Sequence, residues 1–89
     1  MTKRSKTQQR LGRERLAYFK LRQSELLPDF IEVHQHTEFH FALKHVPLGG
    51  PMVHLDYYPT TGRLHDQFNA ITHENVQPDD LRDLITTML

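Results

Sequence analysis

Three short runs in which apolar and polar side chains alternate limit this chain more than any other feature. They are Glu38 to His45 (EFHFALKH), Met52 to Tyr58 (MVHLDYY) and Arg63 to Asp66 (RLHD). A period of two places successive side chains on opposite faces of an extended chain, so each run reads as a strand with one face buried. The connectors, Pro47-Leu48-Gly49-Gly50-Pro51 and Pro59-Thr60-Thr61-Gly62, consist of turn residues. The expectation is a three-stranded antiparallel meander with Phe39, Phe41, Leu43, Val53, Leu55, Tyr57 and Leu64 on its core face. A four-residue second connection with Gly62 in the left-handed conformation sets Tyr58 opposite Arg63, Tyr57 opposite Leu64 and Asp56 opposite His65. Matching the core faces across the first connection puts His40 opposite Asp56 or Tyr58.

Helices flank the meander. No proline interrupts Thr7 to Leu27, and Leu16, Phe19, Gln23, Leu26 and Leu27 recur at the spacing of one helical face. Gly12 weakens the first turns by about 1 kcal/mol relative to alanine, and Pro28 disfavours helical geometry at Leu27, so the helix should end or kink there. A second apolar stripe, Leu11, Tyr18 and Leu21, falls on the far side and offers a surface for a protein partner or a homodimer. Phe30 to His34 is open to helix or strand; its β-branched and aromatic content favours strand, with a bulge over Gln35 to Thr37. Residues 67–77 read as a polar loop. Pro78 fits a first helical position, Asp79 and Asp80 suit the positive end of a helix dipole, and Leu81, Leu84, Ile85 and Met88 form one apolar face. The expected fold class is α+β: N-terminal helix, three-stranded antiparallel β-meander and C-terminal helix (αβββα), with the helices on one face of the sheet. It forms a single small domain over residues 1–89, with residues 1–6 as a flexible basic arm.

A domain of 89 residues buries only about 60–65 % of its unfolded surface, which places function on the surface or at a partner. No apolar run approaches a membrane span, and the basic start MTKRSKTQQR is not followed by the apolar core of a secretory signal, so a cytoplasmic protein is expected. The absence of cysteine removes disulfides, thiolate catalysis and cysteine-based zinc sites together. The net charge of zero conceals a segregation: residues 1–22 hold eight basic side chains against one acid, and residues 23–89 hold three against ten. Lys3, Arg4, Lys6, Arg10, Arg13 and Lys20 therefore form a candidate surface for nucleic acid or another acidic partner. The competing reading is that the basic helix lies on the protein's own acidic half.

Seven histidines supply the other candidate. The predicted register lines up His40, Asp56 and His65 on the solvent face of the sheet, with Glu38, His54, Tyr58 and Arg63 nearby. Two imidazoles flanking a carboxylate suit a divalent metal or acid–base chemistry near neutral pH. Donors on adjacent strands lie about 4.8 Å apart, however, and diverge more than a compact metal site allows. No nucleophile elbow or phosphate loop accompanies them: Ser5 and Ser24 are the only serines, and Gly49-Gly50 lies in a hairpin. No catalytic residue, metal or cofactor is therefore expected, and the face reads as a recognition surface made of His40, His54, Asp56, Tyr58, Arg63 and His65, with binding that can respond to pH.

The combination HTEFHF, Leu43, Gly49-Gly50, LDYYPTTGR and His65 resembles a pattern in small uncharacterised proteins encoded by phages, prophages and plasmids. The likeness covers residues 34–66. It implies an accessory protein of a mobile element that acts in the host cell as a binding module, docking on a host protein or nucleoprotein complex, with inhibition of a host defence system as one such role. The order helix, three strands, helix is also similar to that of double-stranded RNA-binding domains. Those carry a lysine cluster on the second helix where this chain has Asp79-Asp80-Leu81-Arg82-Asp83, so nucleic acid would have to meet the first helix instead. A small metal-dependent enzyme centred on His40, Asp56 and His65 is the third expectation.

Overall fold

A computed structural model of the chain describes residues 6–46 and 52–88. Lys3, Arg4 and the first connector, Pro47 to Pro51, lie outside the described residues. Helix α1 spans Lys6–Leu21 and a short α2 spans Gln23–Leu26; strands β1 (Glu32–Thr37), β2 (His40–His45), β3 (Val53–Tyr58), β4 (Arg63–Asp66) and β5 (Ile71–His73) follow. A 3-10 turn at Pro78–Asp80 leads into α3, Leu81–Met88. The strands form one antiparallel sheet in the order β1-β2-β3-β4-β5. Among the described residues no helix is long and apolar enough to cross a membrane.

The fold is α+β as expected, but the sheet has five strands rather than three. β1 takes the segment that was open to helix or strand from Glu32 onward, with Phe30 and Ile31 before it, and its register against β2 shifts between Gln35 and Thr37 where the bulge was expected. β5 falls inside residues 67–77, which had read as a polar loop. The predicted pairs Tyr58 with Arg63, Tyr57 with Leu64 and Asp56 with His65 are all present. Phe39 corrects the core list. It sits in the β1–β2 turn, 48 % exposed, with its N–H donated to Thr37 Oγ1 at 3.2 Å, because the alternation of β2 starts only at His40. The first helix also breaks earlier than Pro28: Arg22 leaves helical geometry at φ −118 and ψ 25, and α2 restarts from its carbonyl.

Helices and sheet share one core. Leu16 and Phe19 of α1, Leu26 and Leu27 around α2, and Leu81 and Ile85 of α3 pack with Phe41, Leu43, Leu55, Tyr57 and Leu64, so the helices cover one face of the sheet. Two arginines fix the layers. Arg15 of α1 donates from Nε to Pro59 O at 3.0 Å and from a terminal nitrogen to Thr60 O at 2.6 Å. Arg82 of α3 donates to Glu25 O and Leu27 O at 2.9 and 3.0 Å, satisfying carbonyls that the end of α2 leaves open. Tyr57 donates its hydroxyl to Val76 O at 2.9 Å beneath the sheet, and burial raises its pKa well above the ordinary phenol value. Tyr18 of the expected second stripe is tied to Asp79 Oδ1 at 2.7 Å, whereas Leu11 and Leu21 are exposed.

The two hairpins next to the core use connections of equal length, residues 59–62 and 67–70, each closing on a residue with positive φ: Gly62 at 76° and Ala70 at 54°. The left-handed region costs an L residue roughly 1–2 kcal/mol, and glycine escapes that cost at the expense of chain entropy. Exchanges at these positions are therefore expected to have opposite signs. A Cβ at Gly62 would lie 3.2 Å from Asn75 Cα and Val76 N, so Gly62→Ala should lower stability by at least about 1–2 kcal/mol. Ala70→Gly should raise it by up to about 1 kcal/mol. Urea-denaturation midpoints compare the two directly.

Candidate recognition face

Alternation along each strand leaves the second face of the sheet free of helices. The register sets His34, Ala42, Asp56, His65 and Thr72 in one row across all five strands, with Glu32, Lys44 and His54 in the next row and Tyr58 paired to Arg63 beyond. At the centre, His40 Nε2 lies 2.7 Å from Asp56 Oδ1, and Gln67 Nε2 donates to Asp56 Oδ2. The His40 ring stacks on Tyr58 with centroids 4.6 Å apart and planes 15° from parallel, and His36 lies against its other side at 5.1 Å. Ala42 is fully buried although it belongs to this face, because the larger side chains around it close over its methyl group. The result is a small, partly dry polar cluster on an otherwise wet surface.

Asp56 is the electrostatic centre of this cluster. Burial pushes its carboxyl up, but the hydrogen bonds from Gln67 and His40 and the charges of His40 and His54 outweigh that effect, and the net pKa falls below the ordinary carboxylate value. Asp66, at the turn between β4 and β5, behaves similarly. Burial raises its pKa, while the Asn69 side chain and the N–H groups of Asn69 and Phe68 lower it further than burial lifts it.

The expected row is thus only half assembled. His40, Asp56 and Tyr58 come together, and His54 contributes charge from the neighbouring row. His65 stands opposite Asp56 but engages Thr72 Oγ1 through Nδ1 at 2.8 Å. Arg63 leans on Glu74 at 3.4 Å, and Glu38 lies exposed in the β1–β2 turn. Gln67 and His36 complete the cluster without having been singled out as site residues. Gln67 lay in the presumed loop, and its signal was the repeated four-residue connection that brings it back over β3, where its N–H bonds to His54 O at 3.1 Å. His36 carried the two-residue spacing with His34 that marks one face of a strand.

A carboxylate-held imidazole can orient a proton or accept a partner's hydrogen bond. Among the described residues this face carries no serine or cysteine: the chain has no cysteine, and Ser24 sits in α2 on the opposite, helical side of the sheet. Among the described residues no group of three His, Asp or Glu is placed to hold a metal ion. Clefts of about 420 Å³ beside Leu27, Pro28 and Ile31, and of about 510 Å³ beside Leu11, Tyr18 and Pro78, belong to the helical side and contain none of these residues. The face is open, so it suits a flat macromolecular surface better than an enclosed small molecule.

The basic residues distribute differently. Lys6, Arg10, Arg13 and Lys20 are exposed along α1, whereas Arg15 is consumed by the β3–β4 turn and Arg22 pairs with Glu25 at 3.1 Å. Compared with protein-family models, with curated proteins and with solved structures, the chain gives no match, so its own geometry carries the functional reading.

Proposed function

We propose that the protein is a non-enzymatic binding module of a phage or related mobile element, that the uncovered sheet face docks on a host protein or nucleoprotein complex, and that inhibition of a host defence system is the role this serves. The observation that supports it is the cluster His36, His40, Tyr58, Asp56 and Gln67, whose rings and hydrogen bonds are already fixed. Side chains held in place lose little entropy on binding, and imidazole and phenol groups give both apolar area and hydrogen bonds to a partner. The mobile-element setting follows from the strand-and-turn pattern of residues 34–66 alone.

The test is affinity capture from host lysate with the intact chain and with the double variant His36→Glu, His65→Glu. Both positions lie on the face, His36 exposed and His65 half-buried opposite Asp56, and circular dichroism checks that the variant keeps the fold. A specific protein retained by the native chain and lost by the variant is expected. Recovery of nucleic acid alone, of nothing, or of the same protein by both chains would refute docking through this face.

A further inference from the structure

Among the described residues the charge segregation is not neutralised by ion pairs within the fold. Of the basic residues on α1 and just after it, Arg15 and Arg22 are engaged by the protein itself, and Arg10 reaches only Glu14 of its own helix, at 3.8 Å between mostly exposed side chains. Among the described residues Lys6, Arg13 and Lys20 form no ion pair. Among the described residues the acids of the second half form no ion pair with a cation of α1: Asp79 accepts from the Tyr18 hydroxyl, Asp80 caps the turn before α3, Glu74 meets Arg63, and Asp56 and Asp66 are spent within the sheet. The basic helix does rest on the sheet and on the turn that carries Asp79, but its exposed cations are not paired there.

Helical geometry groups these cations. At 100° per residue, Lys6, Arg10, Arg13 and Lys20 fall within an arc of about 80° that flanks the buried face of Gly12, Leu16 and Phe19, with Lys20 about 40° from Leu16. At a rise of 1.5 Å per residue the four are spread along about 21 Å of exposed helix. Ala17 sits in the middle of the stripe, where its small side chain lets a surface approach the backbone closely. The stripe carries no aromatic residue; the nearby Tyr18 turns toward Asp79 and Arg22.

We infer that this stripe binds the phosphate backbone of a nucleic-acid duplex, without reading its sequence. Lys and Arg along a rigid rod match a regular line of phosphates, and their attraction is rewarded by counterion release. The missing aromatic platform argues against a single strand, whose bases would need stacking partners. Since α1 covers one face of the sheet and the histidine cluster occupies the other, a duplex and a protein can be held at once on opposite sides. The inference stands independently of docking through the sheet face.

Fluorescence anisotropy with a short labelled DNA duplex, and with one of its strands, tests it on the full chain. Three to four phosphate contacts predict that affinity for the duplex falls by at least about 40- to 150-fold between about 50 mM and 200 mM salt. In the variant Lys6→Gln, Arg13→Gln, Lys20→Gln the same change should cost about 40-fold less, because each lost contact contributes about 3.5-fold over this range. Thermal melting should be unchanged in that variant, since all three side chains are exposed. Arg15→Gln is the contrast: it should lower the melting temperature and leave the salt dependence intact. No binding at low salt, an unchanged salt dependence in the triple variant, tighter binding of the single strand, or charge-dependent capture of an acidic protein in place of DNA would each overturn the assignment. His36→Glu with His65→Glu should leave duplex binding in place, which separates failure here from failure of the sheet-face reading.

Discussion

Phe19→Ala is expected to remove about 3–5 kcal/mol of stability. Phe19 is fully buried and is the point where α1 meets the sheet. Its ring stands edge-on to Phe41 at 4.9 Å and to Tyr57 at 5.2 Å, with interplanar angles of 73° and 69°. Such pairs add about 0.5–1.5 kcal/mol beyond the area they bury, and the hole left by alanine is walled by sheet residues that cannot collapse into it. A domain of this length has roughly 4–13 kcal/mol in total, so the variant should be barely folded at 37 °C. Leu11→Ala, 46 % exposed on the same helix, should cost well under about 1 kcal/mol. Urea unfolding followed by circular dichroism measures both. A loss below about 1 kcal/mol for Phe19→Ala would mean that α1 does not pack on the sheet as described.

The parts of this fold that could be read from sequence are those where one physical signal acts without competition. The Pro59 to Gly62 turn announces itself through a proline with fixed φ and a glycine free to adopt positive φ, and the pairing of β3 with β4 follows from it. The β4–β5 turn has the same length but places Ala70 in the left-handed position, so the signal that identified the first turn is absent from the second. What holds it instead is Asp66, whose carboxylate accepts from Phe68 N, Asn69 N and Asn69 Nδ2. An aspartate acting on residues two and three positions later is a turn signal in its own right, and it was outweighed by the polarity of the segment. Phe39 failed for the opposite reason: its parity was right for the core face, but it precedes the first paired residue of β2.

The site was legible to the extent that register alone decides it. Matching core faces across the first connection put His40 opposite Asp56 or Tyr58, and its ring contacts both. Register does not say which way a side chain leans, so His65, in line with Asp56, turned out to serve Thr72. Nor does a charge count say which cations are spoken for. Arg15 and Lys20 count alike among the eight basic side chains of residues 1–22, yet the guanidinium of Arg15 fits two carbonyls of a turn 44 and 45 residues away. Arginine's forked donors make such use possible, and the ammonium of Lys20 remains on the surface.

Asp56→Ala is expected to lower stability by about 1.5–3 kcal/mol at neutral pH, since it leaves His40 and Gln67 facing a half-buried site without their acceptor. The pH dependence carries a sign. The pKa of Asp56 is lower in the folded chain than the unfolded value of about 3.9, so its contribution is fully present above about pH 4 and is lost as pH falls through the folded value. Asp66 acts in the same direction through its turn. Denaturation midpoints of the native chain should therefore fall steeply below about pH 4. Those of Asp56→Ala should fall less steeply, retaining only the Asp66 part, so the two curves should converge in acid. Parallel curves down to pH 3 would show that the His40–Asp56–Gln67 bonds add no net stability. The cluster would then be ordered only by the stacking of His36, His40 and Tyr58, and those rings would be freer to rearrange against a partner than a hydrogen-bonded set allows.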